Sequence, residues 1–237
     1  MRVEHLAVDG SVIAIEAQTD LSTGATATGW AIVPSLMRAH PFTISPAGHS
    51  QAIADHAQAA FPAMKIVSAT DYSLKGGTLR VAEVELPTAT GGVRTLTIGA
   101  WEGQSGCLST SLVGSEADRL VEVFDTLRFH ERARGLAIDS PVTPRPRAPQ
   151  VIKEVPGVGI LNIQPALPSV LERIPRTRGK VTNHGEFFRV RATSRALTYV
   201  SNSAVVNLDP FEETESPAMM AVAQDLRVEW TPARGGR

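Results

Sequence analysis

The stretch GQSGCLS, residues 103–109, places a serine and the only cysteine of the chain close to glycines. A nucleophile elbow needs the pattern G-x-S-x-G between a strand and a helix. Here the glycine after Ser105 comes one position too early, and the segment lies between two predicted strands. We therefore predict a hairpin turn in which Cys107 is a small core residue. We expect no catalytic residue and no enzymatic activity.

Three histidines, His40, His49 and His56, lie within a short stretch, with an aspartate beside the last. On a helix, His49 and His56 would lie about 10 Å apart along the axis, too far to share a metal ion. Helical zinc pairs are usually spaced i, i+4. The segment PGVGILN at 156–162 lacks the third glycine and the helix of a dinucleotide site. We expect neither a metal nor a cofactor.

The densest basic run is RIPRTRGK, residues 173–180. Such residues can contact phosphates, but few aromatic side chains are available for stacking on bases. A loop that faces solvent or a protein partner is therefore favoured over nucleic-acid binding. The predicted partner-binding residues come from this run and from the proline-rich stretch before it: Arg145, Arg147, Arg173, Arg176, Arg178 and Lys180.

The formal net charge of −1 hides a marked asymmetry along the chain. Residues 1–127 carry 7 Lys/Arg and 13 Asp/Glu, whereas residues 128–195 carry 13 and 5, and residues 196–237 carry 3 and 6. An acidic first half and a basic middle favour binding to an acidic polymer or to another copy of the chain. A solvated basic face is the simpler alternative.

The stretch SPVTPRPRAP, residues 140–149, separates two parts of different composition. Its prolines favour extended polyproline geometry. Its two P-x-x-P units lack a basic residue at the flanking position that SH3 ligands use. A linker or an assembly arm is therefore preferred to a peptide ligand.

The elements before this stretch alternate between strands and helices. Asp9-Gly10 predicts an N-terminal hairpin, and HSQAIADHAQAAF has helical spacing. Four strands then follow, with turns at Gly76-Gly77 and at 89–92. A helix capped by Ser115 has an apolar stripe at helical spacing, formed by Ala117, Leu120, Val121, Phe124 and Leu127.

This order predicts an α+β fold, in which an antiparallel sheet carries two packed helices. A Pro/Arg-rich extended arm and a small β-rich segment follow. The expected domains are an α+β domain at 1–130, the arm or linker at 131–156 and the β-rich segment at 157–237. Because the last part has many prolines and little helix, we expect it to form a poor core without neighbours.

The stretch from Lys65 to His130 resembles the second half of the PsbP/DcrB-like α+β fold. The resemblance rests on KIVSATDYSLKGGTLRVAEVEL, VRTLTIGAW, CLSTSLVG and the helix SEADRLVEVFDTLRF. It extends to residues 1–130 if residues 1–64 supply the first hairpin and helix. Members accompany photosynthetic complexes, act as envelope proteins or serve as chaperones for type VI secretion effectors. The resemblance implies a non-enzymatic scaffold or adaptor, with no catalytic residues to carry over.

Together these features predict a non-enzymatic structural or assembly protein of a multi-subunit complex, such as a phage virion or a bacterial secretion-related assembly. The alternatives are a PsbP/DcrB-like adaptor or chaperone that binds one protein, and an enzyme of unrecognised type. Expected partners are protein subunits, including copies of the chain itself. With no apolar signal region in MRVEHLAVDG and no membrane-spanning stretch, we expect a cytoplasmic or virion location.

Overall fold

The computed structural model describes most of the chain, in several ranges. These ranges are 1–50, 62–88, 90–132, 134–139, 141–142, 148–175, 178–189, 196–211 and 217–233. Most of the helix expected at HSQAIADHAQAAF lies outside the described residues. Within the described part, no helix has the length and apolar character needed to cross a bilayer.

The described residues are mostly in β-strands, with 54% strand and 14% helix. The strands, numbered in chain order, are β1 Arg2–Leu6, β2 Val12–Glu16, β3 Ala25–Val33, β4 Arg38–Ser45, β5 Lys65–Leu74, β6 Gly77–Pro87, β7 Val93–Glu102, β8 Cys107–Val113, β9 Phe129–Arg132, β10 Gly135–Ile138, β11 Pro141–Val142, β12 Gln150–Val155, β13 Gly159–Pro165, β14 Lys180–Val181, β15 Glu186–Arg189, β16 Leu197–Val200, β17 Ala204–Pro210 and β18 Arg227–Thr231. The described helices are α1 Ala117–Thr126, α2 Pro168–Leu171 and α3 Pro217–Asp225, with a 3-10 turn at Pro34–Leu36. The predicted α+β fold with two packed helices is therefore wrong.

The chain divides into two compact units. The central unit is Trp30–Val142, and the terminal unit combines Met1–Gly29 with Thr143–Arg237. The boundary falls within β3. The three domains expected from composition have different bounds and stay a prediction about independent folding.

The sheet of the central unit is antiparallel, in the order β3-β4-β8-β7-β6-β5. The four strands predicted between residues 64 and 114 are confirmed, with turns between consecutive neighbours. The first turn consists of Lys75 and Gly76, and both have positive φ angles, 50° and 77°. This is the geometry of a two-residue type I′ turn, whose twist matches that of the paired strands.

Helix α1 packs on β6 and β7 through its apolar stripe. Leu120, Val123 and Phe124 are buried in this contact. A Cβ at Gly99 would lie 2.7 Å from the Phe124 ring, so glycine allows the helix to approach the strand closely. Three residues of the predicted stripe, Leu120, Phe124 and Leu127, are therefore buried as expected, whereas Ala117 and Val121 are only half-buried and the buried Val123 was not in the stripe.

The predicted cap at Ser115 is wrong. The Ser115 hydroxyl donates to the carboxylate of Glu83, and the first turn is capped from β7 instead. The Glu116 amide donates to Thr97 Oγ1 at 2.9 Å, and the Thr97 hydroxyl donates to the Gly114 carbonyl at 2.7 Å. The buried Thr97 on β7 therefore provides a hydrogen-bond acceptor for the amide at the start of α1.

The terminal unit contains two sets of antiparallel strands. One has the order β1-β2-β18, and the other runs β14-β15-β16-β17-β13-β12 and continues into the first residues of β3. The hairpin predicted at Asp9-Gly10 is confirmed by the pairing of β1 with β2. The core of the terminal unit contains large buried side chains from both ends of the chain: Ile13, Ile15, Val151, Leu161, Ile163, Tyr199, Val206, Leu208 and Trp230.

The prediction of an extended arm is wrong for the part of it that the structure describes. Residues 150–155 form β12, which pairs with β3 on one side and with β13 on the other. Val151 and Val155 are completely buried, and residues 143–147 lie outside the described residues. The expectation that the last part forms a poor core without neighbours stays a prediction, since residues 1–29 join the C-terminal strands in one unit.

This grouping also changes the charge argument. The central unit carries 9 Lys/Arg and 11 Asp/Glu, a net charge of −2, and the terminal unit carries 14 and 13, a net charge of +1. The asymmetry along the sequence is therefore nearly absent at the level of the folded units. Charge segregation gives little support to an attraction between an acidic domain and a basic arm.

Candidate protein-binding edge

The segment 103–106 is the predicted hairpin turn. It joins β7 to β8, and the Gly103 amide donates to the Gly106 carbonyl at 3.0 Å. The Ser105 hydroxyl donates to Glu131 Oε1 at 2.9 Å, and the Ser105 amide reaches the same oxygen at 2.6 Å. This pair ties the turn to β9.

Cys107 is buried, as predicted. Burial, helped by the nearby carboxylate of Glu102, raises the pKa of the thiol to about 12. The thiolate is therefore scarce at neutral pH, and nucleophilic chemistry is disfavoured at this residue.

Of the three histidines considered for a metal site, His40 is buried, His49 lies just after β4 and His56 lies outside the described residues. His40 packs edge-on against Phe42, with 5.7 Å between ring centroids. Burial, and next the charge of Arg38, lower its pKa. In the described ranges, no three His, Cys, Asp or Glu side chains come together to hold a metal ion.

The structure describes three of the six predicted partner-binding residues. Arg173, Arg178 and Lys180 are exposed, whereas Arg145, Arg147 and Arg176 lie outside the described residues. Lys180 lines a small cavity of about 200 Å³ together with Arg189 and α3 residues such as Met220. The described residues do not bring the three cations together at one cavity, and their role in binding stays a prediction.

An open groove of about 1070 Å³ lies in the terminal unit, beside β18 and the turn after β14. Its lining mixes exposed apolar side chains such as Val181 with polar groups. Arg227 and Glu229 form an ion pair of 2.6 Å in its wall. The Tyr199 hydroxyl donates to the His184 carbonyl at 2.6 Å and fixes the turn.

A buried lysine in the terminal unit escaped the sequence analysis. Lys153 Nζ donates to the Thr23 carbonyl at 2.5 Å and to Thr23 Oγ1 at 3.2 Å. Burial lowers the pKa of this ammonium, and the charge of Asp20 opposes that shift. His5 lies in the same region, and its pKa is lowered to about 4 by burial and by Lys153. Only the tertiary structure shows this cluster, since its members are far apart in sequence.

Strand β5 offers the clearest binding geometry in the central unit. It lies at the end of the strand order, with β6 on one side and no described strand on the other. All residues from Lys65 to Asp71 are exposed. A ten-residue edge of this kind presents backbone groups that can pair with another extended chain.

The turn geometry identifies which backbone groups face outward. In a two-residue hairpin, the flanking pair, here Leu74 and Gly77, is hydrogen-bonded, and bonded and non-bonded pairs then alternate. The amides and carbonyls of Ala69, Asp71 and Ser73 therefore point away from β6. These three residues define the free edge, a name used below for their outward backbone groups.

The hairpin that carries the free edge is held firmly at its tip. Lys75 Nζ donates to the carbonyls of Phe124, Asp125 and Leu127, at 2.9, 2.8 and 2.7 Å. These carbonyls end α1, where a cation is favourable. The Trp101 indole also donates to the Leu74 carbonyl at 2.7 Å. The edge is thus presented by a fixed scaffold and needs little ordering before it binds.

The free edge carries few charged side chains that would hinder pairing with another strand. The single charge between residues 68 and 74 is Asp71, which forms two hydrogen bonds of 2.8 and 3.0 Å with Arg80 on β6. A register shift between Ile66 and Ser68 leaves Val67 as an extra residue, and Lys65 precedes it. Bulges and lysines are usual protections of sheet edges, and here both lie at one end of the strand.

No protein-family model matches the chain, and no curated protein is similar in sequence. The PsbP/DcrB-like resemblance therefore stays a prediction.

Proposed function

We propose that the protein is a non-enzymatic assembly subunit that joins a protein partner by strand addition at β5. The observation that carries this proposal is the free edge, a row of outward backbone groups on an exposed strand of ten residues. Main-chain hydrogen bonds supply affinity in this mode of recognition, and neighbouring side chains select the partner. The kind of complex in which the subunit acts stays a prediction.

The physical basis of the proposal differs from the one expected from the sequence. The charge of the basic middle is balanced within the terminal unit, whereas the edge in the central unit needs no charge attraction. The fixed hairpin tip and the neutralised Asp71 favour pairing, because neither ordering of the strand nor repulsion opposes it. Ala69 lies near the middle of the strand and carries one of the outward amides.

Replacing Ala69 by proline should weaken assembly about 5- to 150-fold, because it removes an outward donor and leaves a partner carbonyl unpaired at a cost of about 1–3 kcal/mol. Proline is tolerated at sheet edges when its missing N–H faces outward, so pairing with β6 should survive. Sedimentation velocity over a range of protein concentrations measures the effect.

The matched control is Ala69→Val, which keeps the amide and has high strand propensity. Ser73→Pro provides a second variant at another outward position, and circular dichroism verifies that each variant is folded. Unchanged association of both folded proline variants would refute strand addition at this edge.

A further inference from the structure

The geometry of β5 points to a specific partner: we propose that the added strand is β5 of a second copy, antiparallel about a two-fold axis at Thr70. The inference rests on the proposed assembly role and adds the identity of the partner and the register. Two-fold pairing uses the same surface on both copies, as most symmetric dimers do. It places the free edges of the two copies against each other.

The outward groups restrict the register to a few choices. Hydrogen-bonded pairs across the new interface must join Ala69, Asp71 or Ser73 of one copy to one of these residues in the other. Pairing Asp71 with itself opposes two carboxylates directly, which is destabilising. Pairing Ala69 with itself brings Val67, the extra residue of the bulge, into the ladder. Pairing Asp71 with Ser73, or Ser73 with itself, moves the overlap to the hairpin tip and shortens it.

The remaining register pairs Ala69 of each copy with Asp71 of the other. The hydrogen-bonded pairs then lie in the regular part of β5, after the bulge. Each Asp71 faces a neutral alanine and keeps its ion pair with Arg80, which is 2.8 Å away. The pairing is therefore free of direct charge repulsion along this part of the edge.

Side chains across the axis support the same register. Thr70 faces Thr70 of the second copy in a non-hydrogen-bonded pair, where Cα atoms approach to about 4.5 Å. Threonine pairs at such positions are favourable. Ser68 lies opposite Tyr72 of the second copy, which joins a small hydroxyl side chain to a larger one. Lys75 lies beyond the ladder and directs its ammonium to the end of its own α1.

Disulfide trapping tests this register directly. Under mild oxidation, Thr70→Cys should give a disulfide-linked dimer as the major species, because its two thiols face each other across the axis. Wild-type protein should give none, since its single thiol, Cys107, is buried. Val113→Cys provides an exposed control on β8.

The neighbouring positions make the test specific for register. Ser68→Cys and Tyr72→Cys should each fail to cross-link alone, but a mixture of the two variants should form a mixed dimer. Cross-linking of Tyr72→Cys alone, or no more dimer from Thr70→Cys than from Val113→Cys, would overturn the proposed register. If association remains sensitive to Ala69→Pro in that case, the assembly role stands and only the two-fold pairing about Thr70 is wrong.

Discussion

Phe124→Ala should lower the free energy of unfolding of the central unit by about 3–5 kcal/mol, the usual cost of removing a buried phenylalanine. Phe124 is completely buried and contacts the strand at Gly99, where no larger residue would fit. The cavity left behind cannot be filled by the sheet, because interiors are close-packed and relax only partly. Denaturant unfolding of the full chain measures the loss.

Val121→Ala is the matched control for this prediction. Val121 lies on the same helix but is only half-buried, so its truncation should cost much less. Because Lys75 holds the β5 hairpin to the end of α1, Phe124→Ala should also weaken assembly when α1 loosens. Equal losses of stability from the two variants would contradict the packing described for α1.

Acidification from pH 7 to pH 4 should destabilise the terminal unit by about 3 kcal/mol through His5 alone. Its pKa is about 4 in the folded protein, against an ordinary value of 6.5. Between pH 6.5 and pH 4, His5 is protonated in the unfolded chain but neutral in the folded chain. The free energy of unfolding is therefore greatest above pH 6.5 and falls as the pH drops towards 4. The size follows from about 1.4 kcal/mol for each pH unit of difference.

The cause is the surroundings of the imidazole. Its Nε2 is buried and has no hydrogen-bond partner among the described residues, and the ammonium of Lys153 opposes a second positive charge nearby. His5→Gln should therefore flatten the dependence of stability on pH, measured by urea unfolding across this range. His184→Gln removes an exposed histidine of the same unit and provides the control. An unchanged profile in His5→Gln would show that His5 does not govern acid stability.

Local features of the fold could be predicted where the sequence pattern was strong. The stripe of Leu120 and Phe124 predicted α1, and Asp9-Gly10 predicted the first hairpin, because both signals act between near neighbours in sequence. The strands of the central unit were predictable for the same reason.

The arm was mispredicted because its prolines outweighed a short alternating pattern. Val151 and Val155 alternate in β12 as buried positions, but Lys153 stands between them on the same face. In a sequence, a lysine at this position indicates an exposed residue. Its hydrogen-bond partner, Thr23, is 130 residues away and cannot be recognised from the local pattern. The grouping of residues 1–29 with the C-terminal strands has no local signal either.

The free edge could not be predicted from sequence at all. KIVSATDYSL indicates a strand, but only the strand order shows that one side of β5 is without a described neighbour. The outward direction of Ala69 and Asp71 then follows from the position of the Lys75-Gly76 turn. By contrast, the basic residues predicted to bind a partner are distant from β5 in sequence and belong to the terminal unit, whereas β5 belongs to the central unit.

Hydrogen exchange of individual β5 amides tests the central claim most directly. The inward amides of β5, such as Thr70, are bonded to β6 and should exchange slowly at any protein concentration. The outward amides of Ala69 and Asp71 should exchange fast in dilute protein and slowly in concentrated protein, when a second strand covers them, whereas Ser73 lies opposite the bulge residue Val67 of the second copy. Fast exchange of the Ala69 and Asp71 amides at every concentration, while other evidence shows that the protein has associated, would contradict assembly through β5.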